Sequence, residues 1–361
     1  MKILQRHKPR GFAIFIVLIS IAALTAMAFV FARNMKTETK LAMNSNNETE
    51  LEWLGRSGLE MARYVLAQEM STPGPGQRYD ALNQKWAGGT GETNDALASI
   101  SLTDIKLGNG RFSVKITDTE RKFNINNAVN NEALMTQALI LIGVDASEIP
   151  AIIASIQDWI DFDDQTRPNG AESEYYQTLD PPYLAKNGPI DDLSELLFVK
   201  GITPDIYWGP NSTNHPPSIF QKNQQAARSG SQPNTPIISA GLQDIFTPVS
   251  SGLVNINTAS ANTLRMIGID ESTVARLINL RAGPDGVDGT EDDVPFNNPG
   301  EIINAGLPPQ LAQQFLSLLT VRSSTFEAQV DVEVGMSRRR YYALIRRNSP
   351  NDIQVLSFRW E

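Results

Sequence analysis

The stretch Gly283-Pro284-Asp285-Gly286-Val287-Asp288-Gly289-Thr290-Glu291-Asp292-Asp293-Val294 places five acids within nine residues, among glycines that let the chain curl. Hard carboxylate oxygens on such a loop suit calcium, which gathers about six to eight oxygens, main-chain carbonyls included. Asp285, Asp288, Asp292 and Asp293 are the expected side-chain ligands. The loop is not an EF-hand, because the Asp-x-Asp-x-Asp-Gly spacing and the closing glutamate are missing. Asp158, Asp161, Asp163, Asp164 and Glu172 form a second acidic set for which the competing reading is helix-end capping and an ion pair to Arg167. Catalytic chemistry finds little material. There is no cysteine, and the only two histidines are His7 and His215, which argues against thiolate, zinc and histidine-based chemistry. With no phosphate loop, nucleophile elbow or carboxylate paired to a base, a non-enzymatic protein is expected.

The elements that must carry these groups begin with an apolar run. Lys2, Arg6, Lys8 and Arg10 form a basic leader without acids, and Gly11 to Ala32 is 22 residues without a charge. At about 1.5 Å per helical residue, that run covers a hydrocarbon core of roughly 30 Å, with the basic flank on the cytoplasmic side. A signal peptide cut after Ala26-Met27-Ala28 competes with an anchor, but Phe29-Val30-Phe31 extends the apolar run past that point. Beyond Arg33 there are 26 Lys and Arg against 40 acids, a net of −14. Such a balance opposes nucleic acid, whose affinity comes largely from phosphate neutralisation. Leu51, Leu54, Gly58, Ala62, Val65 and Leu66 recur at helical spacing, and Pro73-Gly74-Pro75-Gly76 ends the pattern. One helix over 12–70 is predicted, with 12–32 in the membrane.

The 361 residues allow more than one domain. Residues 71–110 read as loop with a short helix near Ala81–Trp86. Arg111 to Thr117 alternates as a half-buried strand, and Lys122 to Ile125 suggests another. Ala328–Val334, Arg340–Ile345 and Ile353–Trp360 supply matching strands at the far end, with a turn near Gly335. The intervening sequence is helical and looks duplicated. Asn124–Ala128 and Asn255–Ala259 share Asn-Ile-Asn-x-Ala, and Ile142–Asp145 and Ile267–Asp270 share Ile-Gly-x-Asp, with spacings that differ between copies. Pro210–Ser251 reads as a solvated linker. The second copy resembles a helix-hairpin-helix module. Its hairpin Met266-Ile267-Gly268-Ile269-Asp270-Glu271 lacks a second glycine and sets two carboxylates where a phosphate would approach. Asp270 reads instead as a helix cap near Thr273, and Asp145 likewise in the first copy.

Arg10-Gly11-Phe12 ahead of the apolar run resembles the type IV pilin-like signal, which implies cleavage between Gly11 and Phe12 by a prepilin peptidase and methylation of Phe12. In that family the fifth mature residue is usually Glu; here it is Ile16. That absence resembles the subunit at the tip. Asp158-Trp159-Ile160-Asp161-Phe162-Asp163-Asp164, running through Arg167, Gly170-Ala171-Glu172 and Tyr175-Tyr176 to Asn187-Gly188-Pro189, resembles the minor pseudopilin K family of type II secretion. The resemblance implies a fold, a location and partners. The fold is α+β and pilin-like, a long N-terminal helix plus an antiparallel sheet, with a large inserted α-helical domain containing helix-hairpin-helix-like repeats. Its expected parts are a leader at 1–11, the helix at 12–70, sheet at 71–125, the insertion at 126–321 with its linker at 210–251, and sheet again at 322–361. The location is a single-pass anchor in the inner membrane with the body in the periplasm. The partners are the I and J minor pseudopilins, the pseudopilus and prepilin peptidase, with calcium in the helical domain and no nucleic acid. The rival readings are a membrane-anchored helix-hairpin-helix DNA receptor and a minor pilin of a type IV pilus.

Overall fold

No proline interrupts residues 12–71, and Gly55 and Gly58 are the only glycines there, so one helix forms, α1 (Phe12–Ser71). The computed structural model describes residues 12–71, 77–89, 97–209 and 240–361. At 60 residues α1 is about 90 Å long. Its first half is uncovered, with Phe12 72% and Phe29 70% exposed. The hydroxyls of Ser20 and Thr25 donate to the helix carbonyls of Ile16 and Ile21, 2.9 Å each, which spares them an unmet hydrogen bond in lipid. Length and composition fit a membrane span.

Strands β1 (Ile105–Leu107) and β2 (Gly110–Asp118) follow. Next come β3 (Phe123–Asn124), α2 (Ile125–Ala128), α3 (Glu132–Ile142), α4 (Ile149–Ile160), α5 (Ser173–Tyr176) and α6 (Pro204–Trp208). From residue 240 on there are α7 (Leu242–Ile245), β4 (Phe246–Thr247), β5 (Val254–Asn255), α8 (Ala261–Met266), α9 (Glu271–Arg281), α10 (Pro309–Leu316) and β6 (Leu319–Thr320). The chain closes with β7 (Thr325–Val334), β8 (Ser337–Ser349) and β9 (Asp352–Trp360).

An antiparallel sheet of order β1-β2-β7-β8-β9 packs one face on α1. Its alternation is the one expected: Phe112, Val114 and Ile116 point inward with Val330, Val332 and Val334, against Leu51, Leu54, Ala62, Val65 and Leu66. Gly55 and Gly58 let the helix come close, since a Cβ at Gly58 would lie 2.3 Å from Val330 Cγ1 and one at Gly55 2.6 Å from the Tyr341 ring. The turn between β7 and β8 uses Gly335 at φ 60°. This architecture is α+β, as expected.

Several boundaries differ. The stretch read as loop contains β1, paired with β2, and a 3-10 turn at Lys85–Ala87 stands where a helix near Ala81–Trp86 was expected. That turn buries Trp86 edge-on against Phe326, 5.2 Å between centroids. The strand expected at Lys122–Ile125 is the two-residue β3, which pairs in parallel with β4 and not with the large sheet. The sheet's first part therefore ends at Asp118, not residue 125. The linker read over 210–251 must also be shortened: residues 210–239 lie outside the described ones, but Leu242, Ile245 and Phe246 are buried in α7 and β4. These three apolar side chains make that part a packed element.

Between β2 and β7 a second apolar core forms around Met135, Leu139, Ile152, Ile156, Leu264 and Leu277. Two asparagines brace it alike. Asn126 Nδ2 donates to Ile190 O (3.0 Å) and its Oδ1 accepts from Ile190 N (2.8 Å). Asn257 does the same with Phe296 O (3.0 Å) and N (2.8 Å). A buried polar node joins this core to the sheet. Arg347 Nη2 donates to both oxygens of Asp80 at 2.6 Å. Asp118 Oδ2 accepts from Thr258 Oγ1 (2.6 Å), Ser323 Oγ (2.7 Å) and Asn255 Nδ2 (3.2 Å). Glu120 accepts from Ser324 Oγ and Thr325 N. Burial, then the Glu120 carboxylate, push Asp118 up to about 8, against hydrogen bonds from Thr258 and Ser323.

Candidate metal centre

Helix α4 turns Ile149, Ile152, Ile153, Ile156 and Trp159 into the core and carries Asp158, wholly buried, in its last turn. Asp161 caps its C-terminus. Carboxylates there face the negative end of the helix dipole, an unfavourable place unless a cation stands beside them. The chain then loops back. Gly170 lies so close that a Cβ would sit 2.0 Å from Asp158 Oδ2, so only glycine leaves room for the carboxylate. Glu172 follows, 1% exposed, just ahead of α5.

Asp158, Asp161 and Glu172 each bring a ligand atom to within 4.8 Å of the other two. Both oxygens of Glu172, and Oδ1 of Asp161, are buried with no hydrogen-bond partner. Burial, reinforced by Asp158, Asp161 and Asp164, pushes Glu172 up to about 7. Among the described residues, Arg167 supplies the one cation in contact. Its Nη1 donates to Asp158 Oδ1 at 2.8 Å and to Asp161 Oδ2, and its backbone N–H to both Asp158 oxygens at 3.3 and 3.2 Å. Those bonds hold the guanidinium above its ordinary range. Asp163 and Asp164 stand at the rim. Asp163 Oδ1 accepts from Gln165 N, and Asp164 Oδ1 accepts from Asn187 Nδ2 and Ser173 Oγ. Nearby in the core, Trp159 and Tyr176 pack edge to face 5.3 Å apart, and Tyr176 stacks on Tyr183 at 5.1 Å. Hard oxygen donors with orphaned, buried lone pairs fit a calcium ion.

The acidic loop is arranged otherwise. Arg281, 5% exposed, donates to Asp288 through Nε (2.9 Å) and Nη2 (2.7 Å), and its Nη1 donates to Ile256 O and Ala259 O, 2.8 Å each. Asp293 accepts from Gly289 N and Thr290 N, and Asp292 from Asp285 N and Thr290 Oγ1. Among the described residues the convergent group is Asp158, Asp161 and Glu172; the carboxylates of Asp285, Asp288, Asp292 and Asp293 do not gather in that way. Arg281 and Asn187 are the residues that sequence reasoning left without a role. Arg281 stands two residues before Gly283, a visible signal; nothing in the spacing marks Asn187.

In the hairpin, Asp270 caps α9, accepting from Thr273 N (3.0 Å) and Ser272 Oγ (2.6 Å), and these bonds hold its carboxyl below the usual range. Asp145 caps a turn through Ser147 N (2.8 Å), while Glu148 occupies the N-cap of α4. Of the processing and assembly residues, Gly11 lies outside the described ones. Phe12 opens α1, and Ile16 lies on it, 53% exposed.

Residues 121–208, which include the three converging carboxylates, match the family described as type II secretion system, protein K. The type II secretion system protein K of Klebsiella pneumoniae is 26% identical over 215 residues, and the match spans 56% of this chain and 61% of that protein's length. The Aeromonas hydrophila protein K is 22% identical over 375 residues, covering 97% of this chain and 96% of the relative. Among solved structures, the crystal structure of the GspK–GspI–GspJ complex from the enterotoxigenic Escherichia coli type 2 secretion system matches with a TM-score of 0.60 at 18% identity, over 89% of this chain and 99% of the matched one. At that identity the likeness is one of fold.

Proposed function

We propose that this chain, whose residues 121–208 match the protein K family of type II secretion systems and which is similar to protein K relatives, is a non-enzymatic minor pseudopilin that caps the tip of the pseudopilus and supports protein export across the outer membrane. The observation that carries this reading is α1. Its first half is apolar and uncovered, while its second half docks through Gly55 and Gly58 onto the sheet. Prepilin peptidase removes residues 1–11 and the new terminus is Phe12. Ile16, in place of an acid, leaves nothing to dock onto an earlier subunit, so this subunit leads. The anchor lies in the inner membrane and the body in the periplasm. The I and J minor pseudopilins are the partners, in keeping with the complex in which the E. coli relative was crystallised.

The helical part between β2 and β7 is an inserted domain of two helix-hairpin-helix-like repeats, a reading that the matching braces of Asn126 and Asn257 support. It widens the tip, and a calcium ion held by Asp158, Asp161 and Glu172 supplies the charge that three converging carboxylates, two of them buried, call for. A DNA receptor draws no support from the hairpin, where Asp270 is spent on α9 and Glu271 pairs with Arg265. The test is a secretion assay with a chromosomal deletion. Exported proteins are expected to accumulate in the periplasm without this chain and to leave when it is restored, and the chain is expected to co-purify with the I and J subunits. Undisturbed secretion, together with salt-sensitive binding to DNA, would overturn the proposal.

A further inference from the structure

The three carboxylates at the end of α4 are not served evenly. One Arg167 nitrogen, Nη1, bridges Asp158 Oδ1 and Asp161 Oδ2, and the third carboxylate, Glu172, is buried with both oxygens unpartnered. All three ligand atoms nevertheless lie within 4.8 Å of one another. An ion that draws on Asp158 Oδ1 and Asp161 Oδ2 at roughly 2.3–2.6 Å would need the space that Nη1 occupies. The guanidinium has a way out: the Arg167 side chain is 41% exposed, whereas that of Asp158 is 0% exposed. Its backbone N–H contact with Asp158 does not depend on where the side chain goes.

We infer that Arg167 is a resident cation of this centre, holding the place between Asp158 and Asp161 until a divalent cation displaces it, so that this side chain sets the metal affinity. The inference rests on the reading that these carboxylates bind calcium. It gives Arg167 two effects of opposite sign. In the metal-free protein the guanidinium ties the loop to α4 and stabilises the fold. Toward the ion it is a competitor of like charge. An arginine with a purely structural role would differ, because its loss would loosen the loop and weaken metal binding together.

The full-length protein in detergent is titrated with terbium, whose luminescence Trp159 beside Asp158 can sensitise, and then with calcium as competitor. Wild type is compared with Arg167→Gln, Arg167→Lys and Glu172→Gln, each also melted in chelator. Arg167→Gln is expected to bind calcium about tenfold or more tightly, the lower end of what one opposite charge at this range does to a carboxylate's proton affinity. It is also expected to melt lower than wild type without metal. Arg167→Lys, with a smaller head that cannot bridge both acids, falls between, and carries the comparison should Arg167→Gln fail to fold. Glu172→Gln loses affinity. Equal or weaker binding by both Arg167 variants, with wild type binding normally, would overturn the exchange and leave the calcium reading standing. No binding by wild type or by either Arg167 variant would overturn both.

Discussion

Gly58→Ala sets two effects against each other on the docking face of α1. In an exposed helix this change is stabilising by about 1 kcal/mol, through backbone entropy. Here the new methyl would meet Val330 Cγ1 at 2.3 Å, Cγ2 at 3.0 Å and Cβ at 3.2 Å. Val330 has no slack: it is 0% exposed and paired between Val114 and Tyr341. Overpacking of this kind costs about 1–3 kcal/mol, so packing wins and the net loss is about 1 kcal/mol. Urea unfolding followed by tryptophan fluorescence reads the change, with Ser57→Ala, one residue away and partly exposed, as the control. Val330→Ala in the Gly58→Ala background makes room for the methyl, so the double variant is expected to lose at least about 1 kcal/mol less than the sum of the singles. A Gly58→Ala protein more stable than wild type would refute the close approach of helix and sheet.

Other outcomes follow from the same packing. The raised Asp118 binds its proton more tightly folded than unfolded, so its contribution is full below the ordinary carboxylate value near 4 and lost as pH rises to about 8. Asp118→Asn is therefore expected to flatten the dependence of the melting temperature on pH between those limits, and an unchanged profile would count against it. Arg281→Gln strips Asp288, which is partly exposed, and the buried carbonyls Ile256 O and Ala259 O of their donor, a loss of about 1–3 kcal/mol, the cost of leaving buried acceptors unmet. Limited proteolysis within residues 283–294 should then speed up, and a loop that stays resistant would show that something else closes it. Ile16→Glu is expected to be tolerated or to shift incorporation of the subunit. Loss of membrane insertion would mean that Ile16 is only an apolar lipid contact.

The strands that were legible in advance are those with one buried face. In β2 and β7 the alternation of Phe112, Val114 and Ile116 and of Val330, Val332 and Val334 has a single solution, because a slip by one residue would turn them all to solvent. Strand β1 was not legible, being three residues long with no residue fully buried. At β3 the segment was visible but not its partner, since alternation does not reveal that Phe123 pairs with Phe246 across more than a hundred residues. The metal site divides in the same way. Acid density pointed to Asp285, Asp288, Asp292 and Asp293, but density does not show that Arg281 and the loop's own amides already use those oxygens. Asp158 and Glu172 converge only because Gly170 lets the chain return against α4, a contact that spacing along the sequence cannot express.

Intact mass and N-terminal peptide analysis of the protein recovered from membranes would decide most about its place in a pseudopilus. A chain beginning at N-methylated Phe12 is the expected result, with α1 intact and anchored. A chain beginning at Phe29 would be a freely secreted protein without the apolar half of α1, and would contradict the pseudopilin reading outright.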